Sequence, residues 1–576
     1  MSSPNLVDAS DSENSIHSTV DEQQREDNSP YEDITSKNEN QNEAAFNIKE
    51  VLPDWGGRKW YQVRHIQKLS FMMFIIALTS TNNGYDGSMF NGLYAMNSFN
   101  NAIGNVSGAT LGALTNGMVF GAFISFPFAQ WMVDNLGRKM SLHIANIIMV
   151  IGVIIQSFSG AWIKSMPANY TGRDVYGMLL GARIIIGAGS NLGAVAAPTL
   201  MSELSYPTHR DTCTTFYNCC WYLGATIASW VSYGCRNIHN DWSWRTVTVI
   251  QGFFPLIQSI LIPFIVSESP RYLISKAKFQ EAKIVLRQYH AGNEAEGEAL
   301  VDYEMMEIQL AIDQERETSK QFSYIDFIKT KANKKRLWLV VWVAVFMQLS
   351  GNGLVSYYLA KVLDSIGITS ESEQLVVNGG LMIYNLGISV IMTFFIIPRL
   401  KRRHAFNICL FGMLLCYIIW TVLSAINQQR NFEDKPLAQG VLAMIFLFYA
   451  FYNLGLNGLP ATYVTEVLPF SLRAGGVNLY QIVQQVVSVY NGFVNSIAMD
   501  AIEWKYYIVY CCWLAVECAV CYFTFIETSG RTLEEVAETL GDGSVGMRET
   551  SGIAALEAAR NDGKKSTTEH VENTEK

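Results

Sequence analysis

Asp134-Asn135-Leu136-Gly137-Arg138-Lys139 is a short polar turn set between two apolar runs, and its reading decides the fold. The glycine inside it permits the left-handed backbone that such a turn often needs. Five more charged motifs lie further along the chain. They are Glu203-x3-Pro207-x2-Arg210, Ser267-Glu268-Ser269-Pro270-Arg271, Pro398-Arg399-Leu400-Lys401-Arg402-Arg403, Glu466-x2-Pro469-x3-Arg473 and Glu527-x2-Gly530-Arg531. The first three recur, weakened or intact, as the second three. Each lies just beyond an apolar segment, so all six fall at one membrane face. A repeat of this kind across two halves is the sequence trace of a two-bundle transporter that rocks around a central site.

The surrounding composition agrees. Of 576 residues, 49% are hydrophobic and 16% charged, where a soluble protein carries about a quarter charged residues. Apolar runs such as 69–78, 144–155 and 250–266 approach or reach the roughly 20 residues needed to cross a bilayer. The pattern predicts twelve spans, at 69–88, 108–132, 140–160, 173–200, 212–234, 245–266, 336–360, 374–398, 404–425, 437–465, 473–499 and 504–526. The expected fold class is an all-α membrane protein of two six-helix bundles, 65–266 and 336–526, joined by a cytosolic helical linker, 267–335. An acidic N-terminal tail, 1–64, and a C-terminal tail, 527–576, flank them.

The net charge of −9 is a tail effect, because residues 1–50 hold 12 acidic and 3 basic side chains. That tail is rich in Ser, Asn, Gln and Glu and should be disordered. It is too acidic for a cleaved signal peptide, so the first span should serve as the uncleaved signal. Ten cysteines are scattered, nearly all within spans, and read as packing residues with no disulfide framework or metal site. Basic residues set the orientation. Residues 267–335 carry eleven Lys or Arg and 399–403 carry four, whereas the loop after the first span has none. Both termini are therefore expected in the cytosol. The sequons at Asn105 and Asn169 fall in loops that this topology places outside, and are glycosylation candidates.

The charged motifs suggest a state-dependent lock. Asp134 can accept from an arginine of a neighbouring helix, and Arg138 can reach Glu203. With Arg210, Glu268, Arg271, Arg402, Glu466, Arg473, Glu527 and Arg531 they form a set of gating charges that is expected to tie the two bundles together on the cytosolic side. In the second half Pro398 stands where Asp134 stands in the first, so that half of the lock should be weaker.

Two ionisable residues lie within the membrane region, Asp86 near the end of span one and Arg183 inside span four. Such residues are costly there and functional by default. A carboxylate paired with arginine in one conformation and released in another changes its proton affinity with state, which is the basis of proton coupling. The expected coupling ion is the proton, with no other cofactor. In span seven, Gln348 and Asn352 are four apart and share a face, near the helix-breaking Gly351 and Gly353 and near Tyr357. Asn218 and Trp221 lie one turn apart in span five, Asn378 begins span eight and Asn491 lies in span eleven. Amides recurring in apolar helices suit a wet cavity that binds sugar hydroxyls. No nucleophile–base pair, phosphate loop or nucleic-acid motif is present, so the reading is transport and not catalysis. The partners expected are a small sugar and the lipid bilayer.

Over about residues 65–540 the chain resembles the sugar porter family of the major facilitator superfamily. The resemblance rests on Asp134-x2-Gly137-Arg138-Lys139, Glu203-x3-Pro207-x2-Arg210, Glu268-Ser269-Pro270-Arg271 and Glu527 to Glu535. Departures are Ser267 and Ile526 where the family has Pro, and Pro398 and Lys401 where it has Asp and Gly. The resemblance implies sugar transport by alternating access at the cell membrane. It also favours proton symport, because proton-coupled members carry Asp and Arg at the positions of Asp86 and Arg183. Met347, Asn352 and Gly353 depart from the hexose pattern in span seven, Asn218 is one methylene shorter than the family's Gln, and Ala461 replaces a Trp. The set 83–87, 217–221 and 348–352 resembles the fungal lactose-permease and cellodextrin-transporter subgroup, which implies a disaccharide such as lactose or cellobiose. A passive hexose or pentose facilitator and a non-transporting sugar sensor are the rival readings.

Overall fold

The computed structural model describes residues 60–541 apart from 161–171, 239, 295–296, 322–323, 431, 433 and 530–532. The described residues form helices and connecting turns with no strand. The first half holds α1 (Arg64–Ala95), α2 (Asn97–Ile103), α3 (Gly108–Thr115), α4 (Gly117–Asn135), α5 (Arg138–Ser157), α6 (Gly172–Leu204), α7 (Arg210–Cys235), α8 (Trp242–Gln251) and α9 (Phe253–Ile265). Four helices follow as a linker: α10 (Pro270–Ser275), α11 (Phe279–Tyr289), α12 (Glu298–Gln321) and α13 (Asp326–Lys329). The second half holds α14 (Lys331–Leu349), α15 (Asn352–Asp364), α16 (Glu371–Ile391), α17 (Arg402–Gln429), α18 (Lys435–Gly455), α19 (Leu459–Val467), α20 (Phe470–Ile502) and α21 (Tyr506–Thr524), before α22 (Leu533–Leu540).

Counted by length and apolarity among the described residues, eight helical stretches can cross a membrane, or nine if α3 and α4, bent by 44°, make one span. The sequence led us to expect twelve. The difference has a physical source. α1 and α7 run for 32 and 26 residues, long enough to span at 1.5 Å per residue. Their polar residues, Thr79 to Asp86 in α1 among them, keep them below the apolarity of an ordinary span. α20 and α21 merge into one apolar stretch, Gly475–Thr524.

Each half packs around its own core. Met72, Leu142, Leu200 and Ile262 are buried together in the first, and Tyr417, Trp420, Phe448 and Phe525 in the second. α1 and α7 approach closely enough that a Cβ on Gly84 would collide with the Trp221 carbonyl. The linker has a small core of its own, including Leu273, Leu286, Val301 and Met305. Its two main helices are longer than the segments 281–290 and 303–315 that sequence spacing suggested.

The two halves meet most firmly at the face that the basic-residue pattern assigns to the outside. There Asn91 Nδ2 donates to the Ser356 carbonyl at 2.6 Å, and Tyr358 O–H donates to Thr115 Oγ1 at 3.1 Å. Asn116 Nδ2 donates to Val489 O at 3.1 Å, and Gly108 N donates to Asp500 Oδ2 at 2.6 Å.

Candidate functional site

At the opposite face the charged turns build the same arrangement twice. Gly137 has φ +98°, and a Cβ there would collide with the Glu268 carboxylate. That close approach lets Glu268 accept from the backbone N–H groups of Arg138 at 3.0 Å and Lys139 at 3.1 Å, which open α5. The Arg138 Nε lies 3.1 Å from Glu203 Oε2, and Ser269 Oγ also donates to Glu203. In the second half Glu527 accepts from Arg402 N at 2.9 Å and Arg403 N at 3.2 Å, which open α17. Arg402 Nη2 lies 3.3 Å from Glu466 Oε1, and Thr528 Oγ1 donates to Glu466 Oε2 at 2.5 Å. Burial is the largest influence on Glu268 and holds its pKa above the ordinary carboxylate value, against the pull of three backbone N–H donors and Arg138.

This geometry corrects the expected lock in one respect. The pairs Arg138–Glu203 and Arg402–Glu466 each close within a single bundle, so neither ties one bundle to the other. Asp134 has Arg138 at 3.9 Å, four residues along its own turn, and Gln130 at 2.9 Å. The reason is local: Gly137 folds the turn back on itself, so Arg138 points into its own bundle. Arg271 pairs with Glu315 of the linker helix α12, and Tyr272 O–H reaches the Asn135 carbonyl at 2.8 Å, so the linker grips the first turn. Arg210 is exposed, Arg473 is half-buried on α20, and Arg531 lies outside the described residues. Asn105 is exposed with φ +51°, and Asn169 also lies outside the described residues.

Asp86 is inside α1 rather than at its end, with 1% of its surface exposed. Its Oδ1 accepts from Gln251 Nε2 of α8 at 2.5 Å, and Gln251 in turn accepts from Gln156 Nε2 at 2.9 Å. Asn82, one turn earlier, donates to Asp86 Oδ2 at 3.4 Å. Arg183 is also buried, but the two do not form the direct pair expected from the sequence. Its Nη2 donates to the Thr115 carbonyl at 3.3 Å, its guanidinium lies 3.6 Å from the Phe90 ring centre, and its Nε has no partner. Arg183 is thus a buried cation with its Nε unpaired, and Asp86 a buried carboxylate on the neighbouring helix with both oxygens engaged.

The amide residues divide into those that are free to meet a ligand and those that are spent. Gly351, with φ +92°, breaks the span into α14 and α15 between Gln348 and Asn352. A side chain there would also meet the Tyr417 ring. Gln348 is half-buried, and its carbonyl is held by Asn491 Nδ2 at 2.7 Å. Asn352 Nδ2 donates to Tyr452 O–H oxygen at 3.1 Å, and its Oδ1 accepts from Ser356 at 2.8 Å. Asn491 also accepts from Asn495 at 2.7 Å, so it is a strut between helices and not a ligand-facing amide. Asn378 donates to Ser229 Oγ at 3.1 Å and keeps an unpaired Oδ1. Asn218 is exposed, Trp221 packs its ring beside Gly87, and Tyr357 is half-buried.

With this geometry in view, the chain can be compared with known proteins. The sequence profile of the sugar (and other) transporter family matches residues 72–540. The chain belongs to that family, the sugar porters of the major facilitator superfamily. The MFS-type transporter oryC of Aspergillus oryzae is 27% identical over 469 residues, 79% of this chain and 82% of that protein. The high-affinity glucose transporter of Kluyveromyces lactis is 25% identical over 514 residues, 85% of this chain and 88% of that protein. Among solved structures, the inward open xylose transporter XylE from E. coli matches with a TM-score of 0.68 and 18% identity, covering 82% of this chain and 99% of XylE.

In this sugar porter the structure adds residues that sequence reading passed over. Tyr222 O–H donates to Asn453 Oδ1 at 2.9 Å and so bridges the two halves beside Trp221. Tyr449 meets Ser356 Oγ at 2.9 Å. Gln251 is the chief partner of Asp86, and Glu517 is a fully buried carboxylate in α21. Glu517 was findable, since the rule that singled out Asp86 applies to it equally. The tyrosines carry no such signal, because aromatic residues are common throughout the spans.

Proposed function

We propose that this sugar porter moves a sugar across the plasma membrane together with a proton, by alternating access between its two halves. Twelve spans with both termini in the cytosol, and bundles at 65–266 and 336–526, complete the proposal. The observation that carries the proton reading is Asp86, buried inside α1 and hydrogen-bonded by Gln251 and Asn82, with the Arg183 cation buried nearby. A solved neighbour titled the proton:xylose symporter XylE supports it by likeness of fold. For the substrate, the half-buried Gln348 and the exposed Asn218 offer amides to hydroxyl groups. The shorter Asn218 and the small Ala461 favour a disaccharide of the lactose or cellobiose type. A second reading is a passive hexose facilitator; for the hexose, relatives named as glucose and hexose transporters speak in its favour.

The test is uptake of labelled mono- and disaccharides in cells lacking their own sugar transporters, with and without a protonophore. Accumulation of a disaccharide above the external level, abolished by the protonophore, is the expected result. Equilibration that ignores the protonophore would favour the facilitator.

A further inference from the structure

Glu517 lies midway along α21 with none of its surface exposed. Among the described residues its carboxyl has one hydrogen-bond partner, Ser350, and no ion pair; Oε1 has no partner, nor has the Trp513 indole N–H. Ser350 Oγ stands 2.7 Å from Glu517 Oε2 and 2.5 Å from the Phe346 carbonyl oxygen. A hydroxyl has one hydrogen to donate. Against an ionised carboxylate it would face two acceptors and could serve only one. Both contacts are satisfied when Glu517 is protonated: its O–H donates to Ser350 Oγ, and the Ser350 O–H donates to Phe346 O. A buried acid with no cation is also far easier to keep neutral than charged.

Ser350 is the C-terminal cap of α14, and Gly351 then turns the chain into α15. Gln348 and Asn352 flank that break. It is held from two other helices, by Tyr417 O–H on the Gly351 carbonyl at 3.0 Å and by Asn491 on the Gln348 carbonyl at 2.7 Å. We propose that Glu517 is a second proton-binding residue of this transporter, and that through Ser350 it positions Gln348 and Asn352 for the sugar. When the proton leaves, Ser350 must turn its hydrogen to the carboxylate. Phe346 O then loses a donor, and the last turn of α14 loosens beside the break. Proton occupancy and the shape of the sugar site are thereby coupled, and the coupling runs in both directions.

The titratable groups around Glu517 leave it alone in this role. They are the Cys409 thiol of α17 and the Cys518 and Cys521 thiols of its own helix, with the Arg403 cation of α17 bearing on Cys521. Tyr417 of α17 is engaged at Gly351. α14 contributes Trp342, stacked on Trp513 at 6.1 Å, and α20 meets α21 through Asn491 and Asn495 at Tyr510.

The inference rests on the sugar-transport reading, and its test separates the two. The purified full chain is placed in liposomes and sugar counterflow is measured from mildly acidic to mildly alkaline pH. In the parent, the half-saturating sugar concentration should rise by up to about tenfold per pH unit above the transition, as the competent fraction falls. In Glu517→Gln the amide N–H2 supplies Ser350 with a hydrogen at every pH. That variant should lose the part of this rise that Glu517 contributes, so that its half-saturation climbs less steeply with pH than the parent's. A parent-like pH profile in Glu517→Gln overturns the proposal. Infrared spectra of the parent and Ser350→Ala give a second readout, independent of Glu517→Gln insertion and of transport. A protonated-carboxyl C=O band should shift when its Ser350 acceptor is removed, and no shift overturns the proposal. Absence of counterflow in the parent for every sugar tried refutes the transport reading, and the infrared result still decides the proton on Glu517.

Discussion

Truncating Glu268 to alanine probes the repeated charged turn most sharply. Its carboxylate accepts from Arg138 N at 3.0 Å, Lys139 N at 3.1 Å and Ser269 N at 2.9 Å. Two of these donors open α5, whose first turn has no side-chain cap of its own. Glu268 therefore does from a distance what an N-cap does locally, with the helix dipole in its favour. A net hydrogen bond is worth about 1 kcal/mol, and loss of a cap costs a similar amount. Three such bonds put Glu268→Ala at about 3 kcal/mol of destabilisation. Glu268→Gln keeps one carbonyl acceptor and should cost about 1 kcal/mol. The smaller figure fits the raised pKa of Glu268, since burial already disfavours its charged form. The assay is thermal unfolding of the purified chain in detergent. Glu268→Ala should melt below Glu268→Gln, and that variant slightly below the parent. Glu527→Ala, which strips the same cap from α17, should fall as far as Glu268→Ala. A parent-like midpoint for both alanine variants would refute the capping argument.

Asp86→Asn should abolish uphill sugar accumulation while leaving downhill exchange, read by tracer uptake at normal surface expression; undiminished accumulation removes Asp86 as the coupling site. Arg138→Ala and Arg402→Ala should slow transport to a similar degree, because each has a glutamate partner within its own bundle. A much milder loss at Arg402 would restore the weaker second half expected from Pro398. Gly351→Ala forces a side chain into a left-handed backbone beside Tyr417, and should lower stability by at least about 1 kcal/mol along with sugar affinity. Asn218→Gln should impair disaccharide uptake more than monosaccharide uptake; an unchanged uptake ratio would mean that Asn218 does not bound the second ring.

The helical membrane fold and the repeated charged turns were legible because each leaves a one-dimensional mark. Apolar runs set the spans, and Gly137, Glu268 and Glu527 sit at fixed distances from them. The span count by apolarity fell short of twelve because α1 and α7 trade apolar residues for polar ones, α3 and α4 are bent apart, and α20 and α21 run together as one apolar stretch. The partners of the site residues were not legible. Asp86 meets Gln251, 165 residues away, and nothing local distinguishes that glutamine from Gln156 or Gln258. Asn218 and Asn491 look alike in sequence, yet Asn218 is exposed while Asn491 is consumed holding α14 and α21 in place. Which amide is spent and which is free depends on helix rotation, and composition does not record it.

The central claim is that sugar and proton cross together. It is tested most directly by adding an unlabelled sugar to lightly buffered, de-energised cells that express the chain, and recording external pH. Coupled entry should make the medium more alkaline on addition of the transported sugar, with no response in Asp86→Asn cells. Uptake of labelled sugar without any pH change in the parent would contradict it.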